Sequence, residues 1–263
     1  MKDKKYMGLA INLASKGVGY VNPNPLVGAI ILKNGRIIGK GYHQKYGGLH
    51  AEVNAIRSCS SSPKGATMYV TLEPCSYYGK TPPCVEAIIE SGIKEVYVAC
   101  LDPNPKVSGK GVQMLKESGI KVTTGILEEE CRKQNEIYFH FLKNKTPFVT
   151  MKYAMTIDGK IASSKGESRW ITGEEARRRV HQERNRHSGI MVGIGTVLCD
   201  DPMLTCRKVE GKDPIRIICD TQLRTPLDSR IVKSAKDIRT LIATASLDEN
   251  RQKAYKQAGC EII

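Results

Sequence analysis

The chain has 263 residues, room for one large domain or two ordinary ones. Hydrophobic residues make up 40% and charged residues 26%, a balance that folds rather than stays disordered. No apolar run approaches the ~18 residues of a membrane-spanning helix, and the charged start Met1-Lys2-Asp3-Lys4-Lys5 leads into no signal-peptide core.

A cytoplasmic protein is expected, so the nine cysteines are thiols, metal ligands or core residues rather than disulfides. The net charge of +14 is spread along the chain: residues 1–146 carry 20 basic and 12 acidic side chains, residues 147–263 carry 21 and 15. Without a basic tail, such a field suits an anionic, phosphorylated small molecule as well as nucleic acid.

Met7, Ala10, Ile11 and Ala14 recur at helical spacing, with a stop at Gly17. Residues 27–33 and 36–41 read as two strands joined by Asn34-Gly35, a hairpin turn. Residues 51–58 read as helix and 68–72 as a buried strand running into Glu73-Pro74-Cys75. Pro83 favours a helix start, so 84–91 reads as helix. A strand over 96–100, helix over 112–118, strand over 120–124 and one long helix over 128–142 follow. Polar Lys143-Asn144-Lys145-Thr146-Pro147 then marks a boundary, giving domains 1–146 and 147–263.

The second half predicts strands at 148–152 and after the turn at Asp158-Gly159, then a charged helix over 174–187. Strands at 190–194, 215–219 and 241–243, and a helix over 249–257, complete it, with Cys260–Ile263 reading as the start of another strand. Strand and helix alternate in both halves, so the class is α/β.

The strongest chemical signal is His50-Ala51-Glu52, then Pro74-Cys75, then Cys84. One imidazole and two thiolates make a three-ligand set for one Zn²⁺, leaving a fourth position for water. A bound Zn²⁺ lowers the pKa of that water. Glu52 stands close enough in sequence to move protons without being a ligand. Nucleobase zinc deaminases carry H-x-E … P-C-x-x-C; here eight residues, not two, separate Cys75 from Cys84. The other seven cysteines (Cys59, Cys100, Cys131, Cys199, Cys206, Cys219, Cys260) show no metal spacing and are expected in the core.

That eight-residue spacing through Gly79-Lys80-Thr81-Pro82-Pro83-Cys84 resembles the bifunctional riboflavin-biosynthesis deaminase/reductase family. So do Asn22-Pro23-Asn24-Pro25, Asp102-Pro103-Asn104-Pro105, Ser168-Arg169-Trp170-Ile171-Thr172 and Thr196-Val197-Leu198-Cys199-Asp200-Asp201-Pro202. The resemblance spans nearly the whole chain. It implies a cytidine-deaminase-like domain followed by a dihydrofolate-reductase-like domain.

The first would deaminate 2,5-diamino-6-(5-phosphoribosylamino)pyrimidin-4(3H)-one, and the second would use NADPH to reduce the ribosyl group to ribityl. The resemblance makes His50, Cys75 and Cys84 the zinc ligands and Glu52 the proton shuttle. Asn24, His43, Lys80 and Asn104 become substrate contacts in the first domain. Ser168, Arg184, Leu204 and Arg207 become substrate contacts in the second, and Ala154, Trp170, Thr196, Asp200 and Thr221 cofactor contacts. Arginines facing a phosphate make physical sense, since a guanidinium binds it bidentately. The resemblance further implies a homo-oligomer with no nucleic-acid or membrane partner.

Two features depart from the family. Tyr77 and Tyr78 stand where it commonly has histidines. The family's second domain also continues past the point where this sequence stops, so a truncated reductase half is expected. Competing readings are a deaminase whose shortened second half is inactive, a tRNA or nucleic-acid base deaminase using the basic surface, and a non-catalytic zinc module. NADPH titration, comparison of free pyrimidine nucleotide with RNA, and Glu52→Gln respectively separate them.

Overall fold

A computed structural model describes residues 2–79 and 81–263. The chain forms two compact units, Met1–Thr150 and Met151–Ile263.

In the first unit, helix α1 (Lys2–Ala14) buries Met7, Ala10 and Ala14. Strands β1 (Gly28–Lys33) and β2 (Arg36–Tyr42) pair antiparallel. Their turn places Asn34 and Gly35 at φ 51° and 73°, as a two-residue hairpin of matching twist requires. Helix α2 (Ala51–Arg57), β3 (Thr67–Leu72), α3 (Cys84–Glu90), β4 (Glu95–Cys100), α4 (Lys110–Glu117) and β5 (Lys121–Thr124) follow. The sheet order is β2-β1-β3-β4-β5; β1 is antiparallel to β3, while β3, β4 and β5 are parallel.

Both sheet faces are covered, which is why β1 reads as a nearly continuous apolar run. Ala29 and Ile31 face a core with Ala55 of α2, Ile88 of α3 and Leu115 of α4. Ile30 and Leu32 face the opposite core with Met7 of α1 and Cys131. The period-2 alternation of a strand assigns them.

The long helix expected over 128–142 is two: α5 (Glu128–Gln134) and α6 (Glu136–Asn144). Asn135 breaks it at φ −104°, ψ 22°. Its amide accepts from Leu26 N–H at 2.7 Å and donates to Leu26 C=O at 2.9 Å, so a contact 109 residues away outweighs helix continuity.

In the second unit, α7 (Glu174–Arg186), β6 (Gly189–Gly193), α8 (Ile194–Asp200), β7 (Ile215–Cys219), α9 (Arg230–Lys233), β8 (Thr240–Ala243), α10 (Glu249–Ala258) and β9 (Glu261–Ile262) alternate. The four strands are parallel in the order β6-β7-β8-β9. Ile218, Ile231, Ile242 and Tyr255 centre the core. Arg216, 0% exposed, donates to the carbonyls of Met203, Ile231 and Ile238 and to the hydroxyls of Ser234 and Thr240.

Four expectations are corrected. Residues 148–152 form no strand, and neither do those after the Asp158-Gly159 turn: Val149, Met151, Tyr153, Met155 and Ile157 alternate like a strand but stay exposed, with no pairing strand among the described residues. Helices α8 and α9 arise where none was expected. Cys199 and Cys219 are exposed rather than in the core; Cys219 ends β7 on the face opposite Ile218. Cys59 is half-buried. No helix among the described residues is long and apolar enough to cross a membrane.

Candidate active site

The fold draws three chain-distant donors together. His50 caps the start of α2 in an extended conformation, Cys75 follows the end of β3, and Cys84 opens α3. Their ligand atoms lie within 4.8 Å of one another. His50 Nδ1 is 3.2 Å from Cys84 Sγ and 3.5 Å from Cys75 Sγ, and the Cys84 amide donates to Cys75 Sγ at 3.3 Å.

The electrostatics suit a cation. The Cys84 thiol donates to Cys75 and His50 supports it, which lowers Cys75 to about 4. The same bond, with burial, holds Cys84 well above an ordinary thiol. Cys75 is thus the thiol readier to ionise, and a bound metal ion would favour the thiolate form of both. Glu52, 3% exposed on the first turn of α2, is pushed up to about 7 by burial and then by the Cys75 charge. It is a carboxyl able to gain and lose a proton near neutrality.

A cleft of about 310 Å³ opens over this group. Asn24, His43, Tyr77, Asp102 and Asn104 line it. The carbonyl of Leu49 accepts from His43 Nδ1 at 3.0 Å, so Nε2 is left to accept from the Asn24 amide at 3.1 Å. That bond orients Asn24 with its carbonyl oxygen available. Burial lowers the His43 pKa and keeps the ring neutral. Asp102, buried and pushed up to about 6 by that burial, accepts from the Asn104 N–H at 2.8 Å and from the Tyr138 hydroxyl at 3.1 Å. Lys80 lies outside the described residues, although its neighbours Gly79 and Thr81 line the cleft.

Within the second unit, Arg184, Leu204 and Arg207 gather around Thr205. Arg184 donates to the Thr205 carbonyl at 2.9 Å, and Arg207 reaches the Thr205 hydroxyl at 3.5 Å. Leu204 is buried at φ 54°. Burial, then the Arg207 charge, lowers the Arg184 pKa, and Arg184 Nε is buried with no partner among the described residues. The Asp213 carboxylate, which accepts from the Cys206 N–H, offsets the Arg207 charge only in part.

Thr196 stands in the first turn of α8 after β6, and Thr221 just past β7, so both lie beyond the carboxyl ends of neighbouring parallel strands. Arg169 donates to the Asp200 carbonyl at 3.4 Å, and Arg177 stacks 4.3 Å over the Trp170 ring, which is 72% exposed. Ala154 and Ser168 stand in the irregular segment before α7, half-buried and exposed, and no described bond ties them to the Arg184–Arg207 group.

Sequence reasoning missed Glu73, Asp102, Tyr138 and His181. Asp102 and Glu73 carried a signal, Asp102 opening the Asp-Pro-Asn-Pro run and Glu73 standing next to the Pro-Cys motif. Tyr138 sits among the aromatic residues of α6 and His181 on the charged helix α7, and neither setting marks it.

Comparison with known proteins agrees with this geometry. Residues 1–100 match the cytidine and deoxycytidylate deaminase zinc-binding region, and residues 147–263 match the RibD C-terminal domain. The chain is 53% identical over 263 residues to the riboflavin biosynthesis protein RibD of Actinobacillus pleuropneumoniae, covering 100% of this chain and 70% of that protein. To the RibD of Aquifex aeolicus it is 47% identical, covering 99% and 73%.

Among solved structures, a Thermotoga maritima diaminohydroxyphosphoribosylaminopyrimidine deaminase/5-amino-6-(5-phosphoribosylamino)uracil reductase matches with TM-score 0.88 and 42% identity, covering 99% of this chain and 80% of that one. Acinetobacter baumannii RibD matches with TM-score 0.88 and 40% identity, covering 100% and 73%. An imidazole and two thiols converging beside a buried carboxyl, on a chain alike to these proteins over its full length, leave one assignment: the chain belongs to the riboflavin biosynthesis protein RibD family.

Proposed function

We propose that this chain carries out two successive steps of riboflavin biosynthesis. Residues 1–146 would hydrolytically deaminate 2,5-diamino-6-(5-phosphoribosylamino)pyrimidin-4(3H)-one. Residues 147–263 would then reduce the ribosyl side chain to ribityl with NADPH. The observation that carries the reading is the convergence of His50, Cys75 and Cys84 within 4.8 Å beside buried Glu52.

Two soft sulfurs and one imidazole suit Zn²⁺, and no fourth protein ligand joins them among the described residues. These three residues would hold the ion. When bound, it supplies a coordinated water of lowered pKa, so hydroxide is at hand near neutral pH. The remaining steps are proton transfers by Glu52. Its carboxylate takes the proton of the attacking water and passes it to the pyrimidine ring nitrogen. In a second transfer Glu52 would take the proton of the hydroxyl now on the ring carbon and give it to the amino group, which leaves as ammonia while that carbon becomes a carbonyl. Asn24, oriented by His43, and Asn104 would hold the pyrimidine nucleotide in the cleft. Lys80 would be a further substrate-binding residue of the same domain.

For the reductase half, the unpartnered Arg184 Nε and the neighbouring Arg207 charge fit a substrate phosphate. Ser168 and Leu204 complete that group. Thr196 and Thr221 fit a dinucleotide at the carboxyl ends of β6 and β7, where a Cβ added at Gly193 or Gly195 would meet nothing within 4 Å. NADPH, when bound, supplies the hydride; Trp170, Asp200 and Ala154 would contact it.

A concave cleft of about 310 Å³ is of the size that supports a small-molecule substrate. The reading includes cytoplasmic residence and self-association, which sedimentation of the purified protein checks. The decisive experiment assays the zinc-loaded protein on the diaminopyrimidine phosphate, with and without NADPH and a chelator. Ammonia release abolished by chelator, and NADPH oxidation that requires deaminated product, are the expected results. Release unaffected by chelator would overturn the zinc step.

A further inference from the structure

We propose that Glu73 is a positioning residue of the deaminase cleft, fixing the turn that carries Asp102 and Asn104 to the strand end that carries Cys75. The proposal rests on the reading of Asn104 as a substrate contact.

Glu73 follows β3 directly and is buried, two positions before Cys75. Its carboxylate serves three backbone N–H groups at once. Oε2 accepts from Asp102 at 3.2 Å and from Gly109 at 2.9 Å, and Oε1 accepts from Val112 at 3.2 Å. The loop over residues 102–109 is therefore held at both its entry and its exit by one side chain.

The first turn of α4 needs this arrangement. Gly109 occupies the cap position and has no side chain with which to satisfy the free N–H groups of the helix start. Glu73 does so from the neighbouring strand end. The approach is close enough that a Cβ on Gly111 would overlap the Pro74 carbonyl oxygen and press on Glu73 itself. Strand end and helix start thus form one block.

Cleft geometry inherits that block. Asp102 turns the chain so that Asn104 N–H meets its carboxylate, and Tyr138 holds Asp102 from α6. Glu73, Asp102, Asn104 and Val107 all line the cleft. Glu73 thereby sets how far Asn104 stands from the group that includes Cys75.

The test is Glu73→Gln in the zinc-loaded full chain, assayed for ammonia release from the diaminopyrimidine phosphate. Glutamine keeps the volume but offers one acceptor oxygen in place of two, so either the Val112 bond at the start of α4 or both the Asp102 and Gly109 bonds are lost, and its amide N–H groups face the backbone donors left behind. The KM should rise about ten-fold, as for the loss of one hydrogen bond. The kcat should stay within about two-fold, because a loosened substrate contact weakens ground and transition states alike. Zinc per chain should be unchanged.

Asn104→Ala is run beside it. If Glu73 acts through Asn104, Glu73→Gln adds no further rise in KM in the Asn104→Ala background. Additive effects, or a fall in kcat together with zinc content, overturn the proposal and make Glu73 a general structural support. An unchanged KM in Asn104→Ala removes the Asn104 assignment and this proposal together. A raised KM there beside an unchanged KM in Glu73→Gln removes the proposal alone. Should Glu73→Gln fail to fold, Glu73→Asp, which keeps both oxygens on a shorter stem, carries the same comparison.

Discussion

His181 lies on α7, 4% exposed, with its Nδ1 accepting the Arg207 backbone N–H at 3.1 Å. Burial first, then the charges of Arg184, Arg207 and Lys208, pull its pKa from 6.5 to about 4. The folded ring therefore refuses a proton that the unfolded chain accepts. Stability from this group is complete above pH 6.5 and is lost as the pH falls toward 4.

A shift of this size is worth at most about 3 kcal/mol, and about 2 kcal/mol of it disappears between pH 7.5 and pH 5.0. His181→Asn removes the titration and keeps an acceptor oxygen near the place of Nδ1. The assay is hydrogen–deuterium exchange of the β7 and β8 amides at both pH values, corrected for intrinsic rates; their slowest members report opening of the second unit. Wild type should lose about 2 kcal/mol more than His181→Asn on acidification. Equal losses in the two proteins would refute the assignment of a buried neutral histidine.

Glu52→Gln should retain zinc, measured by atomic absorption, while ammonia release slows by a factor on the order of 10²–10⁴. Unaltered turnover would place the proton transfers elsewhere. Cys84→Ser replaces a soft ligand by a hard one and should lose zinc on dialysis that leaves the wild type loaded; full retention would sink the ligand assignment. Arg216→Met strands the carbonyls of Met203, Ile231 and Ile238 in the core, at about 1 kcal/mol or more each, so the second unit should lose roughly 3 kcal/mol in urea titrations. Asn135→Ala deletes both bonds to Leu26 and should lower the stability of the first unit by about 1–3 kcal/mol.

The candidate donor set His50, Cys75 and Cys84, with Glu52 beside it, was legible in the linear chain because metal chemistry limits which residue types serve and the Pro-Cys and His-x-Glu pairs are local. The strands β1 and β4 were legible for a related reason, since burial on both faces writes a largely apolar run into the sequence. The Asn34-Gly35 turn was equally local, its two positive φ angles being a cost that few residue pairs bear.

What only the tertiary structure decided depends on partners far along the chain. The break at Asn135 is set by Leu26, and the alternating residues 149–157 fail to become a strand because no neighbour pairs with them among the described residues. The Glu73 carboxylate looked like part of a motif and proved to hold a loop that begins 29 residues later. Nothing in the linear chain singled out His181 or Arg216, yet folding buries both, because their polar atoms find backbone partners in the core that no local pattern announces. Local steric and chemical preference is written residue by residue; the desolvation and hydrogen bonding of a polar side chain are settled only when distant segments close around it.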